Sequence, residues 1–221
     1  VEEPPMPFIL MHFSLGLGES EFTLRLPSVI FGVLSIAAIF LAAREIFGGR
    51  TALLSAFLLS ISFLHILYSQ EARGYSPHIF FTLLTLYFFW KAIRTGAIKD
   101  WIGFAVSTSL NIYSHYSAFQ VLAVETVILL LTVFVRVFLT KEGGLETLKS
   151  NGKGFSLSLV IVGAAALALS KGFLGIMGGR LSGQTIQFEL NPVYFANLLA
   201  RYGAGAGFAF YAYNFFFVAG F

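Results

Sequence analysis

Leu26-Pro27-Ser28-Val29-Ile30-Phe31-Gly32-Val33-Leu34-Ser35-Ile36-Ala37-Ala38-Ile39-Phe40-Leu41-Ala42-Ala43 is an uncharged, largely apolar run held between Arg25 and Arg44. Its 18 residues make about 27 Å of α-helix, close to the roughly 30 Å of hydrocarbon in a bilayer. Working outward, charges mark off six more apolar runs: residues 52–68, 77–90, 101–113, 118–139, 155–177 and 203–221. The composition agrees. Of 221 residues, 57% are hydrophobic and only 11% charged, with 22 glycines and 26 phenylalanines, and the mean hydropathy is +0.81. A soluble domain averages about 25% charged residues, and one of this size has too little interior for so much apolar surface. Soluble enzymes, disordered tails and disulfide scaffolds are excluded, and long runs without alternation exclude a barrel. The expected fold is all-α, a multi-pass helical membrane protein of about seven spans forming a single transmembrane domain.

The stretch from Trp101 to Leu139 would be about 58 Å as one helix, twice what a bilayer holds. It must break, and Ser114-His115-Tyr116-Ser117 is the polar cluster where a tight turn fits. Lys and Arg then orient the spans. With the Glu2 end outside, the inner loops collect Arg44, Arg50, Lys91, Arg94, Lys99, Arg136, Lys141, Lys149 and Lys153, against Arg25, Arg73, Lys171, Arg180 and Arg201 outside. Nine against five follows the positive-inside bias. On that reading Glu2-Glu3, residues 69–76, 114–117 and 180–201 share the outer face. Two segments too short to span, residues 8–16 and the helix opened by Asn191-Pro192, are expected to lie along that surface.

A net charge of +3 and a pI near 9.2 reflect inner loops, and no nucleic-acid partner is expected. With zero cysteines no thiolate metal site exists. The chain opens on Val1-Glu2-Glu3-Pro4-Pro5, which is no signal peptide, and it is expected to be a piece of a larger protein.

The densest group of reactive side chains is Tyr68-Ser69-Gln70-Glu71-Ala72-Arg73-Gly74-Tyr75-Ser76-Pro77, where one span exits and the next begins. Arg73 offers a planar, permanently charged fork suited to phosphate. Snorkelling to headgroups or pairing with Glu71 is the plainer alternative. Glu2, Glu3 and His115 carry ligand chemistry that a divalent ion uses, though interfacial polar groups are commoner. Glu125 lies within a span, some 12 Å from its outer end. Its alternatives are an intramembrane functional acid and a helix-packing hydrogen bond. His65 and Ser69, like Asn111 and His115, are four apart and can share a helix face.

Glu3-Pro4-Pro5-Met6-Pro7 through Met11-His12-Phe13, followed by Gly18-Glu19-Ser20-Glu21-Phe22 and Arg25-Leu26-Pro27-Ser28, resembles the first-loop and second-helix signature of polyprenyl-phosphate-sugar-dependent GT-C glycosyltransferases. That superfamily includes the protein O-mannosyltransferases and the lipid A aminoarabinose transferase. Ser69-Gln70-Glu71-Ala72-Arg73-Gly74-Tyr75 is similar to its second outer loop, and Leu110-Asn111-Ile112-Tyr113-Ser114-His115-Tyr116 to a later outer turn. The motifs stand in order over about the first 140 residues; beyond Leu139 only the helical pattern agrees.

The resemblance implies inverting transfer of a sugar from a polyprenyl-phosphate donor to a lipid, glycan or protein acceptor at the outer face of the cell membrane, with membrane lipid around it. It implies Arg73 and Tyr75 as donor-phosphate ligands, and Glu3, Glu71, His115 and Tyr116 as side chains lining the site. The family's acidic base lies upstream of Pro-Pro, which places it before Val1, so residues 1–221 alone are expected to be inactive. In the aminoarabinose type a metal-binding Glu precedes the first proline by two, which maps to Glu2. No cofactor is required by this reading, with a divalent metal held by Glu2 and His115 left open. Where relatives have His or Lys before Pro-Pro this chain has Glu3, and no Asp follows Arg73 before Pro77. The alternative function is a non-catalytic flippase or transporter of lipid-linked sugars, which would favour interrupted helices and a midplane polar site.

Overall fold

The computed structural model describes residues 4–135 and 151–168, and among these residues there are eight helices and no strand. They are α1 (Met6–Leu15), α2 (Glu21–Phe47), α3 (Gly49–Ser60), α4 (Phe63–Gln70), α5 (Tyr75–Thr95), α6 (Ile98–Ser114), α7 (Ala118–Phe134) and α8 (Asn151–Ala168). The expected turn at 114–117 is present: α6 stops at Ser114 and α7 starts at Ala118. Residues 8–16 fall mostly in α1, ten residues long and too short to span. The expected helix after Asn191-Pro192 and the run 203–221 lie outside the described residues.

Among the described residues, α2 and α8 are long and apolar enough to cross a membrane, and α3 with α4 makes a third span if counted as one. The run 52–68 is therefore broken where a single helix was expected. The two halves meet at 58°, with Ile61 leaving the helix and Ser62 extended at φ −67°, ψ 120°. Swinging α4 inward lets His65 Nε2 donate to the Gly32 carbonyl of α2 at 3.1 Å. It also seats Ser69 against Gly32, where an added Cβ would stand 2.2 Å from Ser69 Oγ.

α2 begins with a reciprocal cap. The Thr23 N–H donates to Ser20 Oγ at 3.2 Å and the Ser20 N–H to Thr23 Oγ1 at 3.1 Å, satisfying two amides the helix cannot. Its buried stripe is small: Ser28, Gly32, Ser35, Ala38 and Ala42. Small residues at this spacing let backbones approach closely where lipid supplies no hydrophobic drive between helices. α5 accepts that approach and packs on α2 and on α6.

The core sits between α5, α6, α7 and α8, where Phe89, Trp101, Phe104 and Leu129 are buried with Phe155 against them. Trp101 and Phe104 meet edge-to-face at 5.8 Å, the arrangement favoured by ring quadrupoles. α8 rides directly on Trp101, since a Cβ at Gly154 would lie 2.0 Å from that ring. Ser158 Oγ donates to the Trp101 carbonyl at 2.9 Å. At the Arg44 end of α2, ion pairs close the bundle: Arg94 to Glu45 at 3.1 Å and Lys91 to Asp100 at 3.8 Å.

One turn from the Phe89, Phe104 and Leu129 layer lie Thr85, Thr108 and Glu125. Glu125 is 1% exposed, faces Thr85, and neither of its carboxyl oxygens has a hydrogen-bond partner. The Thr108 hydroxyl is also unpartnered. Thr85 is the side chain that a helix-packing contact of Glu125 would use.

Candidate functional site

The helices converge at the end opposite those ion pairs. There α1, the start of α2, the end of α4, the start of α5, the end of α6 and the start of α7 come together. Three contacts hold the junction. Ser76 Oγ donates to the Ser28 carbonyl at 2.7 Å, tying α5 to α2. Ser114 Oγ donates to the Leu110 carbonyl at 2.8 Å and lies 2.9 Å from Met6 Sδ, placing α1 on α6. Gly74 runs flush against the end of α6: a Cβ there would stand 2.2 Å from the Ser114 carbonyl oxygen and 3.1 Å from Pro7 Cγ.

Arg73 sits on the two-residue link between Glu71 and Gly74, with its amide donating to the Glu71 carbonyl at 2.8 Å. The residue is exposed and lines a cleft of about 10 Å³ with Pro7, Met11, Pro27 and Ala72, room for a single water. Among the described residues the ion pairs join Arg25 to Glu21, Lys91 to Asp100 and Arg94 to Glu45. The alternative of an Arg73–Glu71 pair is therefore not realised. Glu71 caps the end of α4 in extended backbone, φ −89°, ψ 132°.

Two residues after Arg73, Tyr75 joins a tilted file of aromatic side chains. Tyr68 and Tyr75 are 4.7 Å apart between ring centres, Tyr75 and His115 5.4 Å, and His115 and His78 5.2 Å. Tyr75 and His115, read separately from two loops, are thus neighbours, while Tyr116 lies next to them at the exposed surface. Glu2 and Glu3 lie outside the described residues. Among the described residues no three His, Cys, Asp or Glu side chains converge as metal ligands.

His78 is the residue that sequence reasoning passed over. It stands one turn into α5, inside a run read only as a span, and links three elements. Its Nδ1 is 2.7 Å from Asn111 Oδ1 and its Nε2 is 2.9 Å from Ser117 Oγ. Ser117 Oγ is in turn 2.7 Å from His115 Nδ1, and Asn111 Nδ2 donates to Thr82 Oγ1 at 3.0 Å. A signal was available, because a histidine one turn inside an apolar helix needs a polar partner. Asn111 offers one in the run that packs beside it.

Comparison with known proteins bears on this end of the molecule. The profile of the dolichyl-phosphate-mannose-protein mannosyltransferase family matches residues 2–148, which include α1 to α7 and every residue of the file. A protein of Aquifex aeolicus (strain VF5), described as an uncharacterized protein, is 33% identical over 113 residues. That alignment covers 49% of this chain and 22% of the relative, so the chain matches less than a quarter of that protein's length. No solved structure matches.

Proposed function

Since the chain belongs to the dolichyl-phosphate-mannose-protein mannosyltransferase family, we propose that it moves a sugar from a polyprenyl-phosphate donor to an acceptor hydroxyl at the outer face of the membrane. The observation that carries this reading is Arg73, an exposed guanidinium with no carboxylate partner among the described residues. It lies two residues before Tyr75 of the ring file and lines a small cleft with Pro7, Met11 and Pro27. An acceptor oxygen attacks the anomeric carbon, the bond to the lipid phosphate breaks, and negative charge grows on the departing phosphate. A planar fork already aimed at that charge stabilises it with little reorganisation. Tyr75 can donate its hydroxyl to the same phosphate, while Glu71, His115 and Tyr116 frame the sugar. Glu3 belongs to the same frame in this reading, and Glu2 with His115 is the pair proposed for a divalent metal. The acceptor is a lipid, glycan or protein hydroxyl.

The test uses the chain as it occurs in its natural full-length protein, in membrane vesicles, given radiolabelled polyprenyl-phosphate sugars one at a time, with and without a chelator. Transfer from at least one donor to an endogenous or added acceptor is expected. No transfer from any donor sinks the reading, and loss of transfer on chelation assigns the metal. Orientation is checked separately on a chain whose zero cysteines leave a clean background. Cysteines at the exposed Glu19 and Gln70 are expected to react with an impermeant reagent added outside, and those at the exposed Arg50 and Lys99 to be protected. The reverse pattern puts the candidate site on the wrong face.

A second reading is favoured by two observations: the broken span α3–α4 and the buried Glu125. Interrupted helices and a carboxylate at depth are features of carriers. In sealed vesicles a flippase would translocate the lipid-linked sugar without changing its glycosidic bond, which the same radiolabel distinguishes from transfer.

A further inference from the structure

We propose that the Arg44 end of the bundle is a binding surface for anionic phospholipid, whose phosphate headgroups are held by a collar of basic side chains around the last turn of α5. The proposal goes beyond the transferase reading and does not depend on it.

Contacts between distant elements assemble the collar. Arg94 of α5 reaches Glu45 of α2, its Nη1 donating to both the backbone carbonyl and the carboxylate at 3.1 Å. Lys91, one turn earlier, pairs with Asp100 of α6 at 3.8 Å, and Thr95 Oγ1 donates to the same carboxylate at 2.8 Å. Asn151 Nδ2 of α8 donates to the Ile93 carbonyl at 3.4 Å. The end of α2, the start of α6 and the start of α8 therefore rest on residues 91–95 of α5. Each brings a cation with it: Arg44 before Glu45, Lys99 before Asp100 and Lys153 after Asn151. Arg50, at the start of α3, stands just past the close of α2.

Charge decides what such a surface takes. The two acids at this end, Glu45 and Asp100, are both committed to these pairs. Arg44, Arg50, Lys99 and Lys153 are exposed and take part in no ion pair among the described residues. The end is left with uncompensated positive charge. At the opposite end Glu19, Glu21 and Glu71 outnumber Arg25 and Arg73, and every described lysine lies at the Arg44 end.

Depth decides the source of the phosphate. α2 is long and apolar enough to cross a membrane, which puts Arg44, near its last residue, at a membrane surface. Exposed apolar side chains adjoin the cations in both turns: Phe47, 45% exposed, near Arg50, and Ile98, 51% exposed, next to Lys99. Basic heads interleaved with apolar side chains match a lipid, which presents its phosphate directly above its acyl chains. A dissolved phosphate would gain nothing from Phe47 or Ile98.

The test uses the chain as it occurs in its natural full-length protein, made free of other cysteines and held in phosphatidylcholine nanodiscs. The discs carry a small share of either phosphatidylglycerol or phosphatidylcholine bearing a nitroxide quencher near the headgroup. A fluorophore is placed on a single cysteine at Gly49, where a Cβ meets nothing within 4 Å, or at the exposed Glu19 of the opposite end. Both leaflets contain the quencher, so orientation does not enter. At Gly49 the phosphatidylglycerol quencher is expected to be about fivefold more effective than the phosphatidylcholine one, the factor a single basic side chain at the surface supplies. At Glu19 the two are expected to quench equally. Arg50→Gln combined with Lys99→Gln is expected to remove most of the preference. Salt at about 1 M, which screens charges beyond about 3 Å, is expected to do the same in the unaltered chain. Equal quenching by the two lipids at Gly49, a preference of the same size at Glu19, or one that survives either salt or the double substitution overturns the proposal. So does displacement of phosphatidylglycerol by inorganic phosphate at an ionic strength where chloride has no effect, which would mark a site for a dissolved anion. Should the double variant fail to fold, the salt series on the unaltered chain decides. No sugar transfer is read, so the result stands apart from the transferase reading.

Discussion

Arg73→Ala is expected to lower the rate of sugar transfer by about 10²–10³-fold, the loss typical of removing one preorganised donor from a developing oxyanion. Expression and detergent stability should hardly change, because the side chain is exposed and its link to Glu71 runs through the backbone amide. Arg73→Lys keeps the charge and loses the two-pronged geometry, so it should recover only a small part of the rate. The comparison with Glu71→Gln separates the phosphate role from a local ion pair. Among the described residues Glu71 does not pair with Arg73, so neutralising it should leave the Arg73 effect intact. Normal turnover by Arg73→Ala, or inactivity traced only to misfolding, would return Arg73 to the role of a headgroup anchor.

Gly74→Ala is expected to damage both fold and activity, although it adds one methyl group at a position any residue can adopt, φ −72°, ψ −3°. The obstacle is backbone. The new Cβ would stand 2.2 Å from the Ser114 carbonyl oxygen, with Pro7 Cγ at 3.1 Å on the other side. Neither is the free end of a flexible chain, so α5 must part from α6 and α1. Overpacking of this kind costs about 1–3 kcal/mol. Displacing His115 by about 1 Å from Tyr75 can cost roughly 10²-fold in rate. Thermal unfolding in detergent and transfer by the folded fraction measure the two losses separately. Gly49→Ala is the control, since nothing lies within 4 Å of a Cβ there. Equal behaviour of the two variants would show that the close approach at Gly74 is not maintained.

The turn at 114–117 was legible because polar Ser114, His115 and Ser117 interrupt an apolar stretch too long for one crossing. The bend between α3 and α4 was not. Residues 52–68 contain no Pro or Gly, and the serine at the break, Ser60, whose hydroxyl returns to the Phe57 carbonyl at 2.7 Å, is of a type that sits in straight and bent helices alike. What bends the chain is the pull of Gly32 on His65 and Ser69, a partner some thirty residues upstream.

The same division runs through the candidate site. Apolar content and run length dictate an all-helical membrane protein, because neither depends on which helix neighbours which: burial in lipid and internal backbone pairing follow from composition alone. The ordered motifs dictate the family, and they bring Arg73, Tyr75 and His115 forward as separate candidates. Only the tertiary structure decides that Tyr75 and His115 stack, that Arg73 stands apart from Glu71, and that His78 joins Asn111 to Ser117. Those are contacts between side chains tens of residues apart, set by small residues on α2 and a bare Gly74 that let the helices close to contact distance. Local sequence carries no record of which hydroxyl a half-buried histidine such as His78 will meet; that is determined when the packed helices leave it no other partner.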